Sequence, residues 1–459
     1  MISALHPLAR IILTLVTLLL TPLAAIHAAD APSKKPNIIF VLADDYGVGE
    51  VGCYGADNYK TPNIDALAKG GMRYTNAYTA ALCGPSRAMI LTGRYAFRTG
   101  ATNQDATGRM KPEQETLMPK ILKSAGYTST CVGKWGQLPL GPAEFGFDGY
   151  LKFKGSGVYW NTQDKGKNYE VNGKGTKLND KEYLPDVMHK HLIDFITKHR
   201  EQPFYVYYSL SHVHGEILPT PDSAPDSKDI YADNIAFMDK LVGKLVAELE
   251  RLKLREKTLI VFVGDNGTAN GKAKRATIGG RAISGAKGSL QEGGGLVPLI
   301  VNWPGVTPAG KVSHDMIDSS DFFPTFAELA GAKLPEKTSI DGHSFAAQIR
   351  GEKGQPREWA FNQLARMWSV RETGWKLNQA GELFDMSDAP FTEKLVAADT
   401  QDAAASAARK RLQAALKQLN PAGGILDDGD GTGRHAGKNK SSDQDNEFST
   451  EFGEPQWRP

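Results

Sequence analysis

Only three cysteines, Cys53, Cys83 and Cys131, occur in 459 residues, too few for the paired framework of a disulfide-stapled exported chain. A surplus of one charge is also missing. The 54 basic residues stand against 52 acidic ones, which gives no reason to expect a nucleic-acid partner. No whole-unit repeat is visible. Long apolar runs are confined to one place, residues 11–26 (IILTLVTLLLTPLAAI), behind Arg10 and ahead of the small residues of AIHAAD. That layout is a signal peptide over residues 1–29, with a retained N-terminal anchor as the other reading. No cysteine lies at the cleavage region, which excludes a lipidated one there. No second stretch is long enough to span a bilayer, so the mature chain is expected to be periplasmic or secreted, without a stable membrane span. Cys53 and Cys131 remain as a conceivable pair, but sequence alone cannot show that they meet.

The rest of the chain alternates strand-like runs with helical patterns. NIIFVLADDYG, TSTCVGKW, PFYVYYSLSHVH and TLIVFVGDNG each carry β-branched or aromatic residues up to a polar end, and VPLIVNWPG is a fifth apolar run. Thr61 to Gly70, Pro119 to Gly126 and Tyr231 to Leu252 have helical spacing and stop signals. The alternation predicts an α/β fold, a large, mostly parallel sheet sandwiched by helices. Residues 36–350 read as the catalytic domain. Residues 351–420 read as a small C-terminal α+β subdomain, with short antiparallel strands and a closing helix from Ala403 to Leu419. Residues 421–459, rich in Gly, Asp and Ser, read as a flexible tail.

In open α/β sheets, ligands bind beyond the carboxyl ends of the strands. Asp44 and Asp45, Lys134, His212 and His214, and Asp265 and Asn266 all fall just past such ends. Taken singly, each acidic pair describes an ordinary turn. Together, three carboxylates and an amide oxygen form a hard-oxygen set suited to Ca²⁺ or Mg²⁺ rather than zinc. Arg87 lies in the first turn of a helix begun by Pro85, while Lys134 and Lys287 are flanked by glycines. Cations converging on a helix N-terminus suit a tetrahedral oxyanion, sulfate or phosphate, though either lysine alone also fits a solvated surface charge. His212 and His214 are two apart, and on a strand both would face one site. Either could instead be a packed core histidine. Cys83, beside Arg87 at the helix start, is placed as a nucleophile, with no histidine near it in sequence to act as its base.

The stretch CGPSRAMILTGR, from Cys83 to Arg94, closely resembles the signature of the type I, formylglycine-dependent sulfatases of the alkaline phosphatase superfamily. Its core, Cys-x-Pro-Ser-Arg, arises by chance in a chain this long on the order of once in a thousand. NIIFVLADDYG, GYTSTCVGKW, SHVHGE, FVGDNG and GAKGSLQEGG follow in family order, so the resemblance spans about Pro36 to Asp341 and continues weakly through GELFDM. It implies that a maturation enzyme oxidises Cys83 to formylglycine, whose hydrated aldehyde attacks sulfur. It further implies a Ca²⁺ (Mg²⁺ as the alternative) held by Asp44, Asp45, Asp265, Asn266 and the residue-83 side chain. Arg87 would stabilise the hydrated aldehyde, Lys134 and Lys287 would bind sulfate oxygens, and His214 would do so while assisting the leaving alcohol. His212 joins the substrate-binding set.

Two departures stand out. The family commonly has a histidine two residues after the lysine, contacting the formylglycine, where this chain has Gly136 followed by Gln137. Glu216 replaces a common proline. The function expected is hydrolysis of a sulfate ester, of a carbohydrate more than of a small aryl compound, with Tyr159, Trp160 and Trp368 available to stack on sugars or to pack in the core. A phosphodiesterase or phosphonate hydrolase of the same superfamily, and a catalytically silent glycan-binding homologue, are the alternatives.

Overall fold

The computed structural model describes residues 35–153, 155–161 and 168–429; the expected signal peptide, the tail from 430 onward and part of the loop between Phe153 and Lys181 lie outside the described residues. A ten-stranded sheet runs through the molecule in the order β12-β2-β11-β8-β1-β7-β3-β4-β5-β6. Its centre is built from β1 (Asn37–Ala43), β3 (Thr128–Lys134), β4 (Gly149–Phe153), β7 (Phe204–Ser209) and β8 (Thr258–Gly264), and β8-β1-β7-β3-β4 pair in parallel. The expected parallel core is therefore present.

The fifth apolar run forms β11 (Leu299–Asn302), which pairs antiparallel with both β8 and β2 (Met72–Tyr78). β12 (Lys311–Asp318) is parallel to β2, and the hairpin of β5 (Asn168–Val171) and β6 (Lys174–Lys177) closes the other edge. A two-stranded ribbon, β9 (Thr277–Ile278) and β10 (Arg281–Ala282), lies apart from this sheet.

β1 is buried at every position, as a strand covered on both faces must be. Ile38, Phe40 and Leu42 point into one apolar layer and Ile39, Val41 and Ala43 into the other, the period-2 alternation of a strand. The first layer is covered by α2 (Cys83–Thr92) and α5 (Phe322–Ala330). The second is covered by α1 (Pro62–Lys69), α3 (Leu184–Lys198) and α4 (Ile230–Arg251), whose buried Ile235, Met238, Leu241, Val242, Leu245 and Leu249 form one helical stripe.

The C-terminal segment is an antiparallel sheet, β13 (Ala360–Leu364), β14 (Met367–Glu372), β15 (Trp375–Asn378), β16 (Leu383–Asp385) and β17 (Lys394–Val396), backed by α6 (Ala403–Leu419). Its Phe361, Val370, Leu377 and Leu412 share an apolar cluster with Met89 of α2 and with Tyr95 and Phe97 just beyond it. Buried ion pairs, Arg357 with Asp321 and Arg371 with Glu292 (2.8 Å), fasten it to the large sheet's connections. Among the described residues no helix is long and apolar enough to cross a membrane. All three cysteines are free thiols, so Cys53 and Cys131 do not pair.

Residues 421–429, expected as the start of a flexible tail, are instead strapped onto the body. Ile425 N–H donates to Phe97 O at 2.7 Å, Arg366 Nε donates to Asp427 O at 2.8 Å, and Arg109 pairs with Asp428 at 2.6 Å. The buried Asp427 carboxylate accepts from Thr102 Oγ1 at 2.9 Å and from Asn103 Nδ2. A composition rich in Gly and Asp concealed this anchor because one buried carboxylate, not an apolar stripe, makes it. Asp427→Ala leaves those donors without their acceptor and is expected to lower stability by about 2 kcal/mol. Differential scanning calorimetry checks this; an unchanged Tm would mean that the strap contributes nothing.

Candidate active site

Strand order alone brings the polar strand ends together. β8, β1, β7 and β3 are adjacent and parallel, so Asp265, Asp44, the 210–214 turn and Lys134 emerge at one edge. Backbone hydrogen bonds extend the pairing past the strands: Asp265 N–H to Ala43 O at 2.9 Å, Asp44 N–H to His212 O at 2.8 Å and Val213 N–H to Asp44 O at 2.7 Å. Close approach of these chains depends on glycine. At Gly133, where φ is +113°, a Cβ would lie 1.8 Å from Ser209 O.

α2 enters from the side. Sequence placed its start at Pro85, but the helix begins two residues earlier, with Leu82 as N-cap, so Cys83 itself is the first helical residue. All ten residues of this helix are buried. Cys83 thus sits where the positive end of the helix meets the strand-end cluster.

The cluster is a lattice of three carboxylates and three cations. Lys134 Nζ lies 2.8 Å and 2.7 Å from the two oxygens of Asp44, and 3.4 Å from Cys83 Sγ. Arg87 Nη2 pairs with Asp265 Oδ2 at 2.7 Å, while its Nη1 donates to Lys134 O at 3.1 Å and to Ser209 Oγ. Lys287 Nζ pairs with Asp45 Oδ1 at 2.6 Å. Asp45, at a left-handed φ of 58°, turns its own N–H onto Asp265 Oδ1 at 3.0 Å. His214 Nε2 is 3.8 Å from Asp45 Oδ2, at the rim, with 22% of its side chain exposed.

Burial decides the protonation tendencies here. It pushes the Asp44 carboxyl up; Lys134 pulls in the other direction, and Asp265 and Asp45 push it further up. Burial opposes the Lys287 ammonium, yet Asp45, Cys83 and Asp44 keep its pKa raised, so it stays charged. His214 is held well below its ordinary range by burial, then by Lys287 and Lys134, which keeps the imidazole neutral.

The donor set fits a hard divalent cation. Ligand atoms of Asp44, Cys83 and Asp265 lie within 4.8 Å of one another, as do those of Asp44, Asp45 and His214. Asn266 Nδ2 donates to Asp45 Oδ1 and to Gly267 O, both at 2.9 Å, which leaves its fully buried Oδ1 with no hydrogen-bond partner. A buried carbonyl oxygen left without a donor, on a side chain that already touches the carboxylate cluster, suits an oxygen-seeking cation.

One expected site residue is not brought in. His212 turns its ring into the apolar layer among Tyr159, Tyr183 and Phe237, with Nε2 3.0 Å from Tyr183 Oη. β7 ends at Ser209, so the strand rule that would place residues 212 and 214 on one face does not apply to the turn they occupy. Tyr159 is also structural, its hydroxyl donating to Ser211 O at 3.0 Å and His214 O at 2.9 Å, and Trp160 packs on Tyr183.

Three contributors went unnoticed in the sequence. Ser209 receives Arg87. Gln104 Nε2 donates to Cys83 Sγ at 3.1 Å. Glu50, fully buried, accepts from Gly47 N–H and Thr268 Oγ1, each at 2.9 Å, and from Tyr231 Oη, and so ties the loop after β1 to the loop after β8. Ser209 stands in a strand-end motif and could have been found there, whereas nothing local marks Gln104.

Comparison with known proteins places the chain among sulfatases. The model of the sulfatase family matches residues 36–332, and that of the N-sulphoglucosamine sulphohydrolase C-terminal region matches residues 287–420. Arylsulfatase D of Homo sapiens is 30% identical over 474 residues, covering 81% of this chain and 79% of that protein. N-acetylgalactosamine-6-sulfatase of Canis lupus familiaris is 34% identical over 358 residues, covering 71% of this chain and 68% of that one. The crystal structure of Ps i-CgsB in complex with k-i-k-neocarrahexaose superposes with a TM-score of 0.72 at 28% identity, covering 84% of this chain and 92% of that one.

If the oxygens hold a cation, Ca²⁺ raises the Tm of the folded protein and EDTA reverses the rise. At a hundredfold excess over the dissociation constant the gain is about 2.7 kcal/mol. Asn266→Ala is expected to shrink it, and an equal gain in both proteins would remove Asn266 from the ligand set. Glu50 offers a separate test. Burial raises its pKa from 4.5 to about 7, against the hydrogen bonds from Tyr231, Gly47 and Thr268. A raised folded-state pKa contributes stability that is full below the unfolded value and lost as pH rises through the folded one. Glu50→Gln stays neutral, so between pH 5 and pH 8 its stability relative to wild type should rise by on the order of 2–3 kcal/mol. Urea unfolding in EDTA measures the difference, and a pH-independent gap would sink the assignment.

Proposed function

Belonging to the sulfatase family, the chain hydrolyses sulfate esters, and we propose that its substrate is a sulfated carbohydrate, attacked by a formylglycine hydrate made from Cys83 beside a bound Ca²⁺. The observation that carries this reading is the position of Cys83, buried at the start of α2 with Lys134 Nζ 3.4 Å from its sulfur and the carboxylates of Asp44 and Asp265 beside it. Among the described residues no histidine hydrogen-bonds the Cys83 sulfur, whose donors are Gln104 and Lys134. A hydrated aldehyde needs none to be nucleophilic next to a divalent cation, and its second hydroxyl gives a route for releasing sulfate.

Asp44, Asp45, Asp265, Asn266 and the residue-83 side chain would hold the cation. The protein's own side chains supply the remainder. Arg87, held by Asp265, Lys134 O and Ser209, places its charge within electrostatic reach of residue 83. Lys134 and Lys287, kept protonated by their carboxylate partners, bind the sulfate oxygens where negative charge accumulates. His214, neutral and at the rim, hydrogen-bonds the leaving oxygen. The water-poor cluster strengthens each of these interactions relative to solvent.

The carbohydrate substrate is supported by the N-acetylgalactosamine-6-sulfatase relative and by the neocarrahexaose complex of the structural neighbour. Export to the periplasm or outside the cell, and action by a maturation enzyme on Cys83, complete the reading; the apolar leader at residues 11–26 supports the first and the Cys-Gly-Pro-Ser-Arg signature the second.

Mass spectrometry of the tryptic peptide from Tyr74 to Arg87, taken from protein made in its native host, should find an aldehyde or its hydrate at position 83. Turnover of sulfated sugars should exceed that of matched phosphate esters and vanish in Cys83→Ala. Lys287→Ala is expected to lower kcat about 100- to 1000-fold, the scale of a lost oxyanion donor. An unmodified thiol in active protein would overturn the formylglycine, and faster phosphate turnover would favour the phosphodiesterase reading.

A further inference from the structure

The side chain at position 83 meets an amide where the resemblance leads one to expect an imidazole. Gly136, at the position of the expected histidine, has a φ of +70°, and a Cβ there would lie 3.4 Å from Arg87 Cδ and 3.9 Å from Lys134 Cε. As a glycine, this position has no side chain to offer residue 83. From a different segment, Gln104 Nε2 donates to Cys83 Sγ at 3.1 Å, and Lys134 Nζ is the second donor to that atom, at 3.4 Å. The sulfur stands in for an oxygen on the same carbon after maturation.

The orientation of the Gln104 amide is fixed by its other end. Gly84 N–H donates to Gln104 Oε1 at 3.1 Å, so the NH₂ group must face residue 83. That arrangement depends on the glycine inside the signature: a Cβ on Gly84 would lie 2.8 Å from Thr107 Oγ1 and 3.1 Å from Gln104 Oε1. The Gln104 segment is itself held. Asn103 Oδ1 accepts from Ala106 N–H at 2.7 Å, Thr107 Oγ1 donates to Asn103 O at 2.8 Å, and the strap residue Asp427 binds Thr102 and Asn103. This short turn is thus closed by its own hydrogen bonds and held from outside by Asp427 and by Gly84 N–H, with its amide on the reacting residue.

We infer that Gln104 is a catalytic residue of this chain, donating a hydrogen bond to an oxygen on the residue-83 side chain in place of the absent histidine. The inference rests on formylglycine at position 83. A primary amide donates and does not titrate, so Gln104 stabilises the hydrate and growing negative charge on its oxygen but accepts no proton. A donor there favours the hydrate as its oxygen gains negative charge, because an oxyanion is a far stronger acceptor than the carbonyl oxygen of the free aldehyde.

Two variants remove the donor. Gln104→Leu loses both ends of the amide, and Gln104→Glu keeps its size and its bond from Gly84 N–H while presenting only acceptors to residue 83. In wild type and both variants, peptide mass spectrometry first scores the aldehyde. A small aminooxy reagent then labels it, and the rate of oxime formation reports the free-aldehyde fraction without using turnover. Both variants are expected to mature normally, keep the wild-type Tm to within a few degrees, label several-fold faster and lose about 10- to 100-fold in kcat with KM little changed. Aldehyde present in all three with unchanged labelling and kcat would overturn the role of Gln104 alone. Absence of aldehyde from wild type would overturn the formylglycine reading and this inference with it.

Discussion

Three carboxylates and three cations, all but excluded from water, share one edge of the sheet, and every other feature of the site follows from keeping them paired. Arg87, Asp265, Lys134 and Asp44 have side chains with no solvent exposure, and Lys287 and Asp45 only 4% each. Removing one partner of such a pair leaves an uncompensated charge and typically costs about 3–5 kcal/mol. The lattice can therefore exist only on a scaffold that fixes each group to a fraction of an ångström. Parallel strands provide that, because their ends lie side by side and their loops start from backbone already hydrogen-bonded to its neighbours.

The same constraint explains where the scaffold is unusual. Asp45 takes a left-handed backbone so that its carboxylate faces Lys287 while its N–H faces Asp265. Gly133 lets β3 deliver Lys134 against Ser209, and Glu50, buried and reaching three donors, locks the two acidic loops together from behind. These residues never meet substrate. They set the positions of those that would, which is how a structural carboxylate outside the oxygen cluster supports it.

Much of this was legible in the sequence because strand ends carry chemistry in sheets of this kind. β1, β3, β7, β8 and α4 are strongly apolar or strongly periodic, so they could be read directly, and the polar residues just past them were candidates at once. β2 and β12 were not, since MRYTNAY and KVSHDMID are only partly buried and mix charge into their exposed positions. His212 misled for a definable reason: a period of two was extended beyond the residue at which the strand stops. The strap at 421–429 escaped because composition averages over residues, whereas a single buried Asp427 decides whether such a segment is bound. Gln104 escaped because its significance is purely tertiary. It lies 21 positions from Cys83, in a four-residue helix with no motif.

That last distance bears on how a signature should be read. Cys-x-Pro-Ser-Arg names a maturation substrate and an anion-binding helix start, but its open position is not free in this protein: Gly84 is pressed by the Gln104 turn, and an added methyl group would strike Thr107. The open position and the remote turn are therefore one structural decision. Where Gly136 holds a left-handed φ over Arg87, a side chain carried from that strand end has no unstrained way in, and the contact to residue 83 comes instead from the far side of α2. With an amide in place of a histidine, the chemistry at position 83 differs in the one property that separates those groups: an amide keeps its hydrogen bond whatever the pH and takes no proton.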